Sequence, residues 1–149
     1  KRLGVGVLNP CNKSGGDPKD EFDRRAKANS LKSEGKSKFA AIRELYQPLV
    51  REDLRMVDIS SFIVVYLDGT PACGTYDEIF MAAAQRKPVV LIAPNGWDKV
   101  SNWLFGRLNP DLFFLSIAQA MVYISGIDSG EIIPDSKWRF FDYDAIFKL

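Results

Sequence analysis

The sequence predicts an α/β domain: an open parallel sheet with helices on both faces. Short apolar runs rich in β-branched residues, Phe62–Leu67 and Val89–Ile92, alternate with stretches of helical spacing. The links between them are short and carry Pro, Gly, Asn and Asp. Strand and helix alternating in this way is the pattern of crossover units in a parallel sheet. At 149 residues the chain is sized for a single domain, residues 1–149.

Taken in order, Lys1-Arg2-Leu3-Gly4 reads as a helix tail closed by glycine. Val5–Leu8 reads as a strand ending at Asn9-Pro10. A parallel α/β domain ordinarily opens on a strand, so the expectation is an N-terminally incomplete domain whose first strand is missing from this chain. The loop Cys11–Pro18 follows a strand end. Its Ser14-Gly15-Gly16 either offers backbone N–H groups to a phosphate or is a plain connector; the full phosphate-loop spacing is absent. Residues 17–38 are dense in charges of both signs. They read as a solvated, mobile connection or, more sharply, as a lid over the crevice. Phe39, Ile42, Leu45, Tyr46 and Leu49 recur at helical spacing. Pro48 is expected to kink or restart that helix, which Asp53–Ile59 continues toward a turn at Ser60-Ser61.

Strand Phe62–Leu67 breaks at Asp68-Gly69. The chain resumes as a helix after Gly74, carrying Ile79, Ala82 and Ala83 and running to Arg86. Lys87-Pro88 ends it and leads into strand Val89–Ile92. Asn95-Gly96 is a turn signal. Trp97–Phe105 reads as a short helix, Asn109-Pro110 as a break, and Leu112–Phe114 as a short strand. Ser116 followed by Gln119 is a capping box for a helix over Ile117–Ile124. The tail from Glu131 to Leu149 is aromatic, with Trp138, Phe140, Phe141, Tyr143 and Phe147. Such a tail packs on its own domain or on a partner chain. With Trp103-Leu104-Phe105 and Leu112-Phe113-Phe114, it leads us to expect a homo-oligomer, a dimer or higher.

Composition narrows the function. A net charge of +1 gives no nucleic-acid footprint. No apolar run approaches the roughly 20 residues of a membrane span. Two cysteines, Cys11 and Cys73, are too few for a disulfide framework and point to a reducing cytoplasm. The absence of histidine excludes His-based triads and His-ligated zinc. No metal and no cofactor are expected, and acid–base work falls to Asp, Glu, Lys, Tyr or Cys.

In an open parallel sheet, loops leaving the carboxyl ends of the strands face the ligand crevice. Here one such loop begins with Asp68 and runs into a helix carrying Asp77 and Glu78 near its start. Each candidate also has a purely structural reading. Thr75-Tyr76-Asp77-Glu78 is itself a capping box. Asp68-Gly69 is a turn signal. Asp53 on a helix is ordinarily a solvated charge. Tyr66 reads as core or rim, and Trp97, Trp103 and Trp138 as packing anchors.

A family resemblance rests on a longer string. Asp53-Leu54, Asp58-Ile59-Ser60-Ser61, the apolar strand ending Tyr66-Leu67-Asp68, Gly74-Thr75-x-x-Glu78, an Ala-rich helix and Lys87-Pro88-Val89-Val90 together resemble the nucleoside 2-deoxyribosyltransferase family over roughly residues 3–125. Gly-Thr-x-x-Glu also occurs in the cytokinin-releasing phosphoribohydrolases. Those place Pro-Gly-Gly before it, where this chain has Pro71-Ala72-Cys73.

The resemblance implies a flavodoxin-like (Rossmann-like) fold and cleavage or transfer at the N-glycosidic bond of a (deoxy)nucleoside or its 5′-monophosphate. It implies that Glu78 attacks the anomeric carbon and forms a covalent glycosyl-enzyme. Asp68 would contact the sugar or donate a proton, and Asp53 would contact the base. Gly74 and Thr75 of the motif, with Asn9, Ser14 and Gly15 at the earlier strand end, complete the expected substrate contacts. The family places an Asp a few residues before the Gly of this loop. Ala72 and Cys73 stand there instead, which leaves Asp68 as the nearest carboxylate and makes water a plausible acceptor, hence a hydrolase. The alternatives are a phosphoribohydrolase or a non-catalytic nucleotide-binding sensor of the same fold.

Overall fold

The structure, a computed structural model, describes residues 7–8, 18–69 and 73–133, the side chains of 18–21 excepted. The expected helix tail Lys1–Gly4, the loop Cys11–Asp17 and the aromatic residues beyond Ile133 lie outside the described residues. The chain falls into two compact units, one of Gly6–Met56 and the other of Val57–Leu149 together with Lys1–Val5.

The first unit is helical. Val7 and Leu8, the described part of the expected strand Val5–Leu8, are not in a strand and are 82% and 50% exposed. Glycines at 4 and 6 weaken a strand, and Pro10 ends any ladder soon after. The charged segment is not a connector either. Pro18–Ser33 forms one helix, α1. Pro18 sits at its first position, where a missing N–H costs nothing. No Gly or Pro follows until Gly35, and Asp23 and Lys27 stand at the favourable i,i+4 spacing. The charges conceal a run of good helix formers. Gly35, with φ of 95°, separates α1 from a 3-10 turn over Lys36–Lys38. Helix α2, Phe39–Ile59, follows at once and runs past Pro48 without restarting. Pro48 removes one backbone donor, and both it and Glu44, whose carbonyl loses that donor, are exposed.

The second unit holds the sheet. Strands β1 (Ile63–Tyr66), β2 (Val89–Ile92) and β3 (Phe113–Phe114) are parallel, in the order β1-β2-β3. Ile63 lies opposite Val89 and Tyr66 opposite Ile92; Leu91 lies opposite Phe113. Helix α3, Cys73–Ala84, connects β1 to β2, and α4, Asn102–Arg107, connects β2 to β3. Helix α5, Ile117–Ser129, follows β3. Two apolar clusters lie on opposite faces of β2. Val89, Leu91 and Ala93 pack with Val65 and Leu67, with Ile79 and Ala82 of α3, and with Leu104 of α4. Val90 and Ile92 pack with Leu112 and with Ala120 and Ile127 of α5. Among the described residues the open parallel sheet with helices on both faces is therefore present, in a small three-stranded form.

Several boundaries moved for local reasons. The helix expected over Trp97–Phe105 begins later, because Ser101 caps it: the Trp103 N–H donates to Ser101 Oγ at 3.4 Å. The expected strand Leu112–Phe114 loses its first residue to a 3-10 turn over Pro110–Leu112, where the Asp111 N–H donates to Asn109 Oδ1 at 3.1 Å. At α5 the Gln119 N–H donates to Ser116 Oγ at 3.2 Å, as the capping box requires. Gln119 Oε1 accepts from the Leu115 N–H at 2.9 Å, one residue earlier than the usual return bond. Helix α5 then continues beyond Ile124 to Gly130, which closes it with φ of 79°.

Helix α3 ends differently. Arg86, with φ of 58°, holds the left-handed position that glycine ordinarily takes. Its N–H donates to the Ala83 carbonyl at 3.1 Å, and the Lys87 N–H donates to the Ala82 carbonyl at 2.9 Å. Lys87 Nζ donates in turn to the Val57 carbonyl at 2.7 Å and to the Asp58 carbonyl, tying down the end of α2. The geometry of this cap is complete, so only the side chain at 86 is out of place. Arg86→Gly is expected to stabilise the fold by about 1 kcal/mol, read as a raised urea midpoint at unchanged slope.

Of the apolar runs behind the expectation of self-association, Leu104 and Leu112 are buried in this core, Phe113 and Phe114 are half-buried, and Trp103 and Phe105 are exposed. Leu104 and Leu112 are 0% and 2% exposed. Phe113 stacks on Trp97 with ring centroids 5.9 Å apart, and Phe105 meets it edge-on at 5.2 Å. Trp103 is the exception to the expectation of packing anchors, at 79% exposed.

Candidate active site

The carboxyl edge of the sheet gathers the loops after β1, β2 and β3. The ladder runs one residue past β1, since the Leu67 N–H donates to the Ile92 carbonyl at 2.8 Å. The next residue, Asp68, is therefore delivered to the edge with an exposed side chain. After β2, Ala93-Pro94-Asn95-Gly96 makes a β-turn closed by the Gly96 N–H on the Ala93 carbonyl at 3.1 Å. Pro94 suits its second position, and Gly96 takes the φ of 89° that the exit demands. This turn presents Asn95, whose Nδ2 donates to the Asp68 carbonyl at 2.6 Å. The first two loops of the edge are thus clipped together, with the amide of Asn95 beside the carboxylate residue. Asn95 reads from sequence only as a turn residue. No local signal reveals its partner, because the bond joins two separate loops.

Helix α3 supplies the second carboxylate. It begins at Cys73, not after Gly74, so Thr75 and Glu78 lie within it and Thr75 is not the N-cap. The capping-box reading of Thr75-x-x-Glu78 is thereby replaced. No acidic residue falls in the first turn of α3. The positive helix end thus acts on Glu78 more weakly than a first-turn position would allow. At 100° per residue, Thr75 and Glu78 share the stripe of Ile79 and Ala82, which are 0% exposed. That stripe turns from apolar to polar as α3 approaches its start. Thr75 and Glu78 are accordingly half-buried, whereas Asp77 lies on the outer side and is exposed. The helix separates the two adjacent carboxylates by environment: Glu78 turned inward, Asp77 in solvent.

Of the residues read from sequence, Asp68, Gly74, Thr75 and Glu78 come to the same edge of the sheet unit. Asp53 is half-buried on α2 and belongs to the helical unit. Asn9, Ser14 and Gly15 lie outside the described residues. Tyr66 is not in the core, at 51% exposed. Cys73 is an exposed free thiol at the first position of α3. Arg107 lies over the Phe80 ring at 5.1 Å and fastens α4 to α3. Among the described residues no group of acidic, Cys or His side chains is placed to hold a metal ion. No described helix is long and apolar enough to cross a membrane.

The chain is thus an α/β protein with Asp68 and the amide of Asn95 at the carboxyl ends of parallel strands and Glu78 in the second turn of the helix that follows the first of them. No protein-family model matches the chain, and no match is found among curated proteins or solved structures.

Proposed function

We propose that this edge cleaves or transfers at the N-glycosidic bond of a (deoxy)nucleoside or its 5′-monophosphate, in a sheet of flavodoxin-like design. The observation that carries the reading is the half-buried Glu78 on the inward stripe of α3, at the edge where Asp68 emerges. A carboxylate is a competent nucleophile at an oxocarbenium-like centre. One Glu78 oxygen bonds to the anomeric carbon as the C–N bond breaks. The electron pair of that bond leaves with the base, which is protonated as it departs, with Asp68 as the proposed route of the proton. Water, losing its proton along the same route, or a second base in a transferase, then attacks the same carbon and releases Glu78. Asn95 fixes the backbone of Asp68 and so the position of its carboxyl group. The resemblance of Gly74-Thr75-x-x-Glu78 to the deoxyribosyltransferases supports the same assignment.

The test is direct. The protein is incubated with each nucleoside, deoxynucleoside and monophosphate, and free base is resolved by chromatography. Enzyme-dependent base release is expected. Binding of a nucleotide with no base release is the result that leaves a sensor in place of an enzyme.

Gly74 gives a second check. A Cβ added there meets nothing within 4 Å, and its backbone is helical, so the fold itself does not demand glycine. Gly74→Ala is expected to stabilise α3 by up to about 1 kcal/mol. If substrate approaches this turn closely, the same change raises KM for base release. A raised melting temperature with unchanged KM removes Gly74 from the substrate contacts.

A further inference from the structure

Helix α5 is uncharged on every side from Ile117 to Ile127, and Asp128 is its one charged residue. Its inner face, with Ala120, Ile124 and Ile127, is buried where it packs over β2 and β3. At 100° per residue the opposite face carries Ala118, Met121, Val122 and Ser125, all exposed. Val122 is 72% exposed and Met121 43%, with Ile117 beside them at 56%. A surface helix ordinarily turns charged residues outward, and a helix apolar all round is ordinarily buried all round. Helix α2 shows the ordinary case. It exposes Phe39, Val50 and Ile59, but Arg43, Glu44, Arg51 and Glu52 share its exposed surface.

The pattern on α5 is self-complementary. The exposed residues fall at i, i+3, i+4 and i+7, the spacing of a helix-pairing seam. The larger side chains, Met121 and Val122, stand at the middle, and the small ones, Ala118 and Ser125, at either end. In an antiparallel pair about a two-fold axis beside Met121 and Val122, Met121 meets Val122 of the second copy. Ala118 then meets Ser125 of the second copy. Bulk fills the centre, and small residues let the helices approach at the ends. A charged patch would repel its own copy, and this seam carries no charge to do so. Ser129, next on the same face, donates its hydroxyl to the Gly126 carbonyl at 3.1 Å, so covering it strands no donor. With Leu115 and Ile117 the face offers on the order of 500 Å² per copy. A pair then buries on the order of 1,000 Å², the size at which a specific interface begins.

We propose that this face of α5 is an interface between two copies of the chain, joined antiparallel through α5 about a two-fold axis. The surface is distinct from Trp103-Leu104-Phe105 and Leu112-Phe113-Phe114, the runs from which self-association is expected in the sequence. The inference does not depend on the chemistry proposed for the carboxyl edge.

Sedimentation velocity of the full chain from about 1 to 300 μM tests it. A reversible monomer–dimer equilibrium is expected, with half-association at about 1–100 μM for an interface of this size. Val122→Arg and Met121→Glu are each expected to weaken it about 10-fold or more, because each sets a charge in an apolar seam. Both positions are exposed in the single chain, so far-UV circular dichroism and the urea midpoint of the monomer are expected to stay unchanged. An equimolar mixture of the two variants is expected to associate more tightly than either alone, since the antiparallel register sets opposite charges face to face. A monomer at every concentration overturns the proposal. The maleimide reactivity of Val122→Cys then tells what replaces it: slow reaction means a cover within the chain, fast reaction a face open to a different protein. A dimer that neither substitution weakens also overturns it, as does a mixture no tighter than its parts.

Discussion

Glu78→Gln is expected to reduce base release by about 10³-fold or more while the protein stays folded. Gln is isosteric with Glu and has nearly the same helix propensity, and position 78 is inside α3 rather than at its cap. The expected change in stability is therefore under about 1 kcal/mol. The neutral amide cannot form an ester with the anomeric carbon, so the loss falls on kcat rather than on substrate affinity. Asp77→Asn, one residue away but facing solvent, is the matched control and is expected to leave the rate within about 3-fold. A structural carboxylate at 78 would reverse the pattern, with stability lost and activity retained per folded molecule. Steady-state rates of base release, paired with urea titrations of both variants, separate the two cases.

The second large effect is on the core. Leu104→Ala is expected to destabilise the fold by about 2–5 kcal/mol, whereas Trp103→Ala, its neighbour, is expected to change it by less than about 0.5 kcal/mol. Leu104 is 0% exposed and belongs to the cluster that holds α3 and α4 against the sheet. Removing its side chain leaves a cavity beneath the helix that carries Glu78. Trp103, the larger side chain, is 79% exposed and loses little when truncated. Two-state urea unfolding of the two variants measures this contrast. Equal destabilisation would mean that Trp103 is covered by something other than the described residues. For that reason the comparison is best made at several protein concentrations, where a self-association through Trp103 would show itself.

The two substitutions also mark where the sequence was legible. Val89–Ile92 reads correctly because a short, wholly apolar run after Lys87-Pro88 has few other homes than a central strand buried on both faces. The stop signals around it, Asn95-Gly96 and Asn109-Pro110, are local and were honoured. Helix α1 was not legible, because it has no apolar stripe. Its spacing is set by propensity and charge, and the same composition describes a solvated connector. Trp103 and Leu104 are neighbours of opposite burial in a helix of only six residues, too short for periodicity to tell the faces apart.

At the candidate site the carboxylates were visible and their setting was not. Asp68 is announced by the end of an apolar strand. Asn95 becomes its neighbour only through tertiary folding, across an intervening helix. Read from sequence, α3 starts after Gly74. The helix nonetheless begins at Cys73, which moves Thr75 and Glu78 from a cap onto the inward stripe. Arg86 shows the converse. A left-handed cap residue is anticipated as Gly or Asn, and here the flanking hydrogen bonds hold an Arg in that conformation.

The most direct test of the account is the fate of Glu78 during turnover. The protein is mixed with a nucleoside or monophosphate that yields free base, quenched in acid within one turnover, digested, and weighed by mass spectrometry. A sugar-sized mass increase confined to the peptide containing Glu78 is expected, present in wild type and absent from Glu78→Gln. Base release at the wild-type rate in Glu78→Gln, with that peptide unmodified throughout, would contradict it.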